Sequence, residues 1–274
     1  ALANLAALGV QVSVIAAVGD DEPGRALTAA LDDRGVDTSR IETVPGYSTP
    51  TKVRILGGGP SSLKHQVARY DIEDTLPEEG DWKTSVLNHL REESSRCGAL
   101  AISDYGYGCV RPGALQHLAQ SKSGTPWLCL DSRYRIGRFV GVHGATPNLE
   151  ELEAHCGRRL RFDSAVATAA DELREELGAR FVLATRGNHG MTLVEKDHDP
   201  HHIPVFGSDQ VADVTGAGDT VLAVLTAALA AAAEPVEAAH LANIAAGLVV
   251  MKLGTATISA AELRTAITSS EKFE

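Results

Sequence analysis

Short aliphatic runs that read as strands alternate with longer runs that read as helices along most of this chain. That alternation limits the fold more than any other feature. Residues 10–19, 99–103, 127–131 and 181–185 read as strands, and residues 20–34, 82–95, 112–120, 149–156 and 164–177 as helices. Three further helices, over 218–232, 236–252 and 260–267, close the chain. A strand that returns through a helix pairs parallel with its predecessor, and such sheets are covered on both faces. The expected class is therefore α/β, a three-layer α/β/α sandwich. One stretch breaks the rhythm. Residues 41–44, 52–56 and 66–72 read as short strands with no helix between them, and Gly57-Gly58-Gly59-Pro60 marks a hairpin turn. Residues 45–73 are thus expected to form a small β-excursion inside a single domain spanning residues 1–274. A second hairpin is expected over residues 191–195 and 202–205.

Composition narrows the function. Aromatic residues are 4% of 274, so the core must be aliphatic, as suits a sheet covered by Ala-rich helices. A formal net charge of −11 repels phosphate backbones and argues against nucleic acid as a partner. The cysteines at 97, 109, 129 and 156 form no C-x-x-C pair, which fits a reduced, cytoplasmic setting. The longest apolar run, residues 221–233, is too short to span a bilayer and lies between Asp219 and Glu234. It reads as a buried helix, with no membrane partner.

In sheets of this class ligands bind at the carboxyl ends of the strands. Polar groups gather there: Ser103-Asp104, Asp131-Ser132-Arg133, Thr146-Pro147-Asn148 and Thr185-Arg186-Gly187. The chemistry concentrates in Asp213-Val-Thr-Gly-Ala-Gly-Asp219-Thr220, just before the long apolar helix. Gly216 and Gly218 let the chain turn sharply. The amides of Ala217, Gly218 and Asp219 can then face one point at a helix N-terminus, which is an anion site. A carboxylate beside an anion site repels phosphate unless it has another task. Asp219 gains one if it takes the proton of a hydroxyl that attacks a γ-phosphate, while the amides stabilise the growing charge. Plain helix capping is the alternative for Asp219. The chain contains no G-x-x-x-x-G-K-[ST] string, and Val221 stands where a dinucleotide fingerprint needs its third glycine.

Other residues carry two readings each. Asp104 binds a sugar hydroxyl or caps the turn that follows it. Asn148 contributes to the site together with Glu151, or is a turn residue after Pro147. Lys52, Arg54 and Arg69 receive a sugar phosphate, or are solvated charges that keep a strand edge from pairing. His198, His201 and His202 have a spacing that suggests a metal, but Pro200 and the acidic neighbours fit an exposed loop better. Cys97, Cys129 and Met251 read as packing residues.

The glycine string resembles the second signature of ribokinase-like (PfkB-type) carbohydrate kinases, and the similarity runs through nearly the whole chain. Within that family the chain is most similar to the kinase domain of bifunctional ADP-heptose synthases. The strings that carry this are Ile102-Ser-Asp-Tyr105, Thr146-Pro-Asn-Leu149 with Glu151, the 213–220 string, and residues 242–249 running on to Lys252-Leu-Gly-Thr255. The resemblance implies an ATP- and magnesium-dependent kinase acting on a sugar or sugar phosphate. For the subgroup the substrate is D-glycero-β-D-manno-heptose 7-phosphate, phosphorylated at its 1-hydroxyl. Other members act on fructose, ribose or nucleosides, and a chain that binds nucleotide or sugar without turnover is a further alternative.

The same resemblance implies roles. Asp219 is the base, and Gly216, Ala217 and Gly218 form the anion hole. Asn148 and Glu151 organise magnesium through water or phosphate. Thr185, Arg186, Gly187 and Thr215 line the triphosphate, and Asn243 lies beside the adenine. A monovalent cation sits near Asp213. Asp104, Lys52, Arg54, Arg69 and Arg133 contact the substrate. The β-excursion becomes a lid and the surface of a homodimer. Three departures stand out. The family's first strand and Gly-Gly-rich sugar-binding segment are expected before Ala1. Tyr107 occupies the place of a subgroup lysine, and Asp131-Ser-Arg133 replaces Asp-Pro-Lys.

Overall fold

The computed structural model describes residues 1–58, 65–119, 126–207 and 213–270. In chain order they form α1 (Leu2–Ala7), β1 (Ser13–Gly19), α2 (Glu22–Asp32), β2 (Asp37–Val44), β3 (Thr51–Gly57), β4 (His65–Ile72) and α3 (Asp81–Ser94). There follow β5 (Ala99–Asp104), α4 (Pro112–Ala119), β6 (Trp127–Ser132), β7 (Gly144–Ala145), α5 (Leu149–Cys156) and α6 (Asp163–Leu177). The chain ends with β8 (Phe181–Thr185), β9 (Met191–Glu195), β10 (His201–Ile203), α7 (Ala217–Ala230), α8 (Pro235–Val250) and α9 (Ala260–Ser270). They divide into two compact units, residues 1–12, 90–106 and 110–274 in one, and 13–89 with 107–109 in the other.

The larger unit is built on a sheet of order β10-β9-β8-β7-β6-β5. Neighbours from β5 to β8 run parallel, while β9 and β10 are antiparallel. Side chains alternate between two cores, as a strand's period of two requires. Leu128, Leu130, Val182, Ala184 and Val194 face a core shared with Leu115 of α4, Leu152 of α5 and Leu173 of α6. Cys129, Phe181, Leu183 and Leu193 face a second core with Leu222 and Leu225 of α7 and Ala238 and Ala242 of α8. Both faces are covered, which is the three-layer arrangement expected. Every residue of α7 from Thr220 to Thr226 is buried, so the apolar run is the central helix of its layer.

In the smaller unit β1 and β2 pair parallel, with α2 as the crossover between them. Asp21 caps α2 by accepting from the Gly24 amide at 2.9 Å. Val44, Tyr47, Leu76 and Trp82 form a small core of their own. β3 and β4 are antiparallel, with Val53 opposite Tyr70, Lys52 opposite Asp71 and Arg54 opposite Arg69. One face of this ribbon is therefore apolar and the other charged.

Several expectations need correction. The run at 41–44 is longer than expected and belongs to an eight-residue strand, β2, that pairs parallel with β1. The first strand begins at Ser13, not at residue 10. β7 is only two residues long and has no sequence signal beyond Gly144. A Cβ there would lie 2.1 Å from the Phe181 ring, so only glycine lets β7 approach β8. Met251, expected in packing, is 39% exposed. Residues 59 and 60 of the expected turn, and residue 120 of the expected helix, lie outside the described residues. Among the described residues no helix is long and apolar enough to cross a membrane.

Candidate active site

The parallel strands of the larger unit all deliver polar residues to one end of the sheet. A cleft of about 320 Å³ opens there, lined by Asp104 and Tyr105 after β5, Asp131 and Arg133 at β6, and Thr146, Asn148 and Glu151 beyond β7. Thr185 at the end of β8 and Val214, Gly216, Gly218 and Asp219 at the head of α7 complete the lining.

The head of α7 is shaped by Gly216, whose φ of +86° places it in the left-handed region that favours glycine. The turn before it is an Asx-turn, in which Asp213 Oδ1 accepts from the Thr215 amide at 2.9 Å. The Ala217 amide donates to Val214 O at 3.2 Å, so Ala217 is not a free donor as expected. The amides of Gly218 and Asp219 take no acceptor among the described residues, and both point out of the helix N-terminus. Asp219 stands in that first turn, its side chain about a third exposed, with the Ala1 nitrogen 3.4 Å from Oδ1. A carboxylate and free helix amides thus share one wall of the cleft.

Opposite lies the Asn148/Glu151 pair. Asn148 Oδ1 accepts from the Glu151 amide at 2.8 Å, and Glu151 Oε2 accepts from the Asn148 amide at 2.9 Å. This is a capping box at the start of α5. The N-x-x-E spacing therefore has a structural task as well, and both residues line the cleft. Burial raises the Glu151 carboxyl above its ordinary range.

Asp131 is pushed up to about 7, first by burial and then by the charges of Glu151 and Asp219. Tyr105 is pushed up to about 12 by burial, with Asp219 and Asp131 adding to it. The lining carries four carboxyl groups against the single guanidinium of Arg133. Such a cleft suits a divalent cation with phosphate groups better than phosphate alone.

Other expected residues have structural partners. Asp104 is 4% exposed and its carboxylate is filled by a two-pronged contact from Arg135, by Ser132 Oγ at 2.8 Å and by the Gly106 amide at 3.1 Å. It fixes the turn, and Arg133 and Tyr134 follow from it. Arg186 does not reach the cleft. Its guanidinium is held by Asp163 of α6 and by Thr192 Oγ1 at 3.3 Å, and Gly187 also lies outside the lining. Thr215 is outside it too, and the Asn243 amide is buried and donates to Pro204 O at 2.8 Å. Of the expected triphosphate group only Thr185 lines the cleft.

In the smaller unit, Arg69 grips Asp71 with two hydrogen bonds, and Lys52 lies 3.6 Å from both Asp71 and Glu73. Arg54 is exposed. His198, His201 and His202 turn to three different partners, Lys196 O, His240 and Thr192, and among the described residues no metal-binding cluster forms. Asp131 and Thr146 belong to the polar strand ends noted in the sequence but carried no assigned role, and Tyr105 lies one residue beyond such an end.

The model of the pfkB family carbohydrate kinases matches residues 1–81 and 131–262. Among curated proteins, the chain is 36% identical to the bifunctional protein HldE of Trichlorobacter lovleyi over 266 residues, covering 96% of this chain and 53% of that protein. The HldE protein of Hahella chejuensis is 39% identical over 267 residues, with the same 96% and 53% coverage. The chain thus spans about half the length of these relatives. Among solved structures, phosphofructokinase-2 from Escherichia coli in complex with potassium superposes with a TM-score of 0.79 at 20% identity, over 98% of this chain and 85% of that one. Arabidopsis thaliana ribokinase complexed with ribose and ATP gives 0.74 at 19% identity, over 97% and 85%. The chain belongs to the pfkB family of carbohydrate kinases, ATP-dependent enzymes, and has the ribokinase-like fold.

Proposed function

We propose that this chain transfers the γ-phosphate of Mg-ATP to the 1-hydroxyl of D-glycero-β-D-manno-heptose 7-phosphate. The observation that supports it most is the head of α7, where Asp219 stands beside the unpaired amides of Gly218 and Asp219. Asp219 takes the proton of the attacking hydroxyl. The amides receive the negative charge that develops on the transferring group, and the helix dipole adds to them. Magnesium, when bound, neutralises phosphate charge; Asn148, Glu151 and Asp131 would hold it through water and phosphate. Thr185 and Arg133, which also line the cleft, contact the phosphates of nucleotide and sugar in this reading. The Asp213 turn is the place for a monovalent cation, and the phosphofructokinase-2 neighbour is described in complex with potassium.

The heptose assignment draws on the HldE relatives and on the smaller unit. Where the subgroup carries a lysine, Tyr107 donates its hydroxyl to Glu73 at 2.6 Å, and the Lys52 ammonium lies 3.4 Å from that hydroxyl. Lys52 thus keeps a cation beside the substituted position, shared with Asp71 and Glu73. A homodimer through the apolar face of β3 and β4 completes the reading, because Ile55, Tyr70 and Ile72 are each about half exposed there.

The test is phosphorus NMR of the product formed from Mg-ATP across a panel of heptose 7-phosphate, fructose 6-phosphate, fructose, ribose and adenosine. A new anomeric phosphate on the heptose, at far higher kcat/KM than any other phosphorylation, is expected. Preferential phosphorylation of another sugar would replace the substrate, and no phosphorylation of any would remove the kinase reading.

A further inference from the structure

Several polar side chains of the larger unit are buried and do not line the cleft, and one of them bonds to the residue after Asp219. Asn4, in α1, is 5% exposed. Its Oδ1 accepts from the Ile258 amide at 3.2 Å, and its Nδ2 donates to Thr220 Oγ1 at 2.9 Å. Thr220, fully buried, is the residue after Asp219. Its own hydroxyl donates to Gly216 O at 2.9 Å, and its amide donates to the same oxygen at 2.9 Å.

The direction of every proton in this chain of bonds is fixed. The Ile258 N–H can only donate, so the asparagine must turn its oxygen there and its NH₂ toward Thr220. Thr220 Oγ1 then accepts from Asn4, and its single hydrogen is free only for Gly216 O. That carbonyl belongs to the left-handed residue that turns the Gly218 and Asp219 amides into the cleft. Surrounding positions of α7, from Val221 to Leu225, are apolar and buried, and burying a polar amide among them is costly unless each group is satisfied. The polar groups are placed at the one turn that carries the base and the free amides.

We infer that Asn4 is a positioning residue for phosphoryl transfer, acting through Thr220 to hold the Gly216 carbonyl back and the two amides forward. The inference rests on the reading of Asp219 as the base. It extends the site to a residue 216 positions away from its partner in sequence.

The test compares Asn4→Asp, Asn4→Leu, Thr220→Val, Thr220→Ser and Asp219→Asn in steady-state kinetics. The substrates are Mg-ATP and heptose 7-phosphate, or whichever panel sugar the unaltered protein phosphorylates. Circular dichroism confirms that each variant is folded. Removing the relay is expected to lower kcat about tenfold or more, because the loss of a direct oxyanion donor costs 10²–10³ and this effect is indirect. Both KM values should stay within about twofold, since ground-state binding is unchanged. Thr220→Ser keeps the hydroxyl and should restore most of kcat. The double variant Asn4→Leu/Thr220→Val should be no slower than Thr220→Val alone. If Asp219→Asn is inactive while Thr220→Val keeps the unaltered kcat, the positioning role is overturned and the base reading stands. If Asp219→Asn keeps the unaltered kcat, both fall. The Val and Ser variants keep the test open should Asn4 substitutions fail to fold.

Discussion

Asp131 sits among like charges in a partly closed cleft, and its carboxyl holds a proton up to about pH 7. The ordinary value of an aspartate carboxyl is 3.8, so between these limits the folded chain binds a proton that the unfolded chain does not. Stability therefore falls as pH rises from near 4 to near 7, and the full cost is in place above that. Asp131→Asn is expected to raise the melting temperature at pH 8 and to change it little at pH 5, measured without nucleotide. An equal gain at both values would mean that Asp131 ionisation costs nothing. Added magnesium with nucleotide should narrow the gap between the two proteins, since a nearby cation favours the carboxylate.

At the level of elements, α5 and α7 present their N-termini to the cleft for different reasons. The start of α5 is closed by its capping box, and its two side chains also border the site. Substitution can separate the two tasks. Glu151→Gln keeps a capping-box partner but removes the charge. It should leave unfolding free energy almost unchanged while raising the magnesium concentration needed for half-maximal activity. Asn148→Ala should lower stability by about 1 kcal/mol as well as affecting magnesium. Equal magnesium dependence in all three proteins would confine the pair to capping.

The start of α7 was legible in the sequence because its function needs contiguous residues: glycines to turn, amides to face one way, a carboxylate at the right step. The capping box was written in the same N-x-x-E letters, but those letters were read as a ligand pair or a turn after Pro147 and not as a helix cap. The Arg186 contact with Asp163, 23 residues before it, was not legible because a strand-end position does not say which way a long side chain turns. β7 escaped because two residues cannot show a period. The pairing of β2 with β1 escaped because 41–44 alone was too short a run to demand a parallel partner. Asn4 and Arg135 act through partners that folding brings together, and no local pattern marks them.

At the scale of the whole molecule, the alternation of strands and helices set the layered architecture, and both cores follow from it. The ribbon of β3 and β4 is the surface feature that layering does not explain. Its apolar face needs a cover, and the opposite face carries Lys52, Arg54, Arg69 and Asp71. Tyr70→Asp combined with Ile55→Asp should convert a dimer into a monomer in light scattering, while circular dichroism stays unchanged. A monomer before substitution, or a dimer after it, would contradict the proposed interface. The central claim concerns chemistry, and one measurement addresses it most directly: sugar-dependent ADP release from Mg-ATP by the chain and by its Asp219→Asn variant. The account predicts a fall in kcat of about 10²–10⁴ with nucleotide binding retained, the range expected for loss of a general base. Sugar-dependent release at an undiminished rate by the folded variant would contradict it and assign the deprotonation to another group.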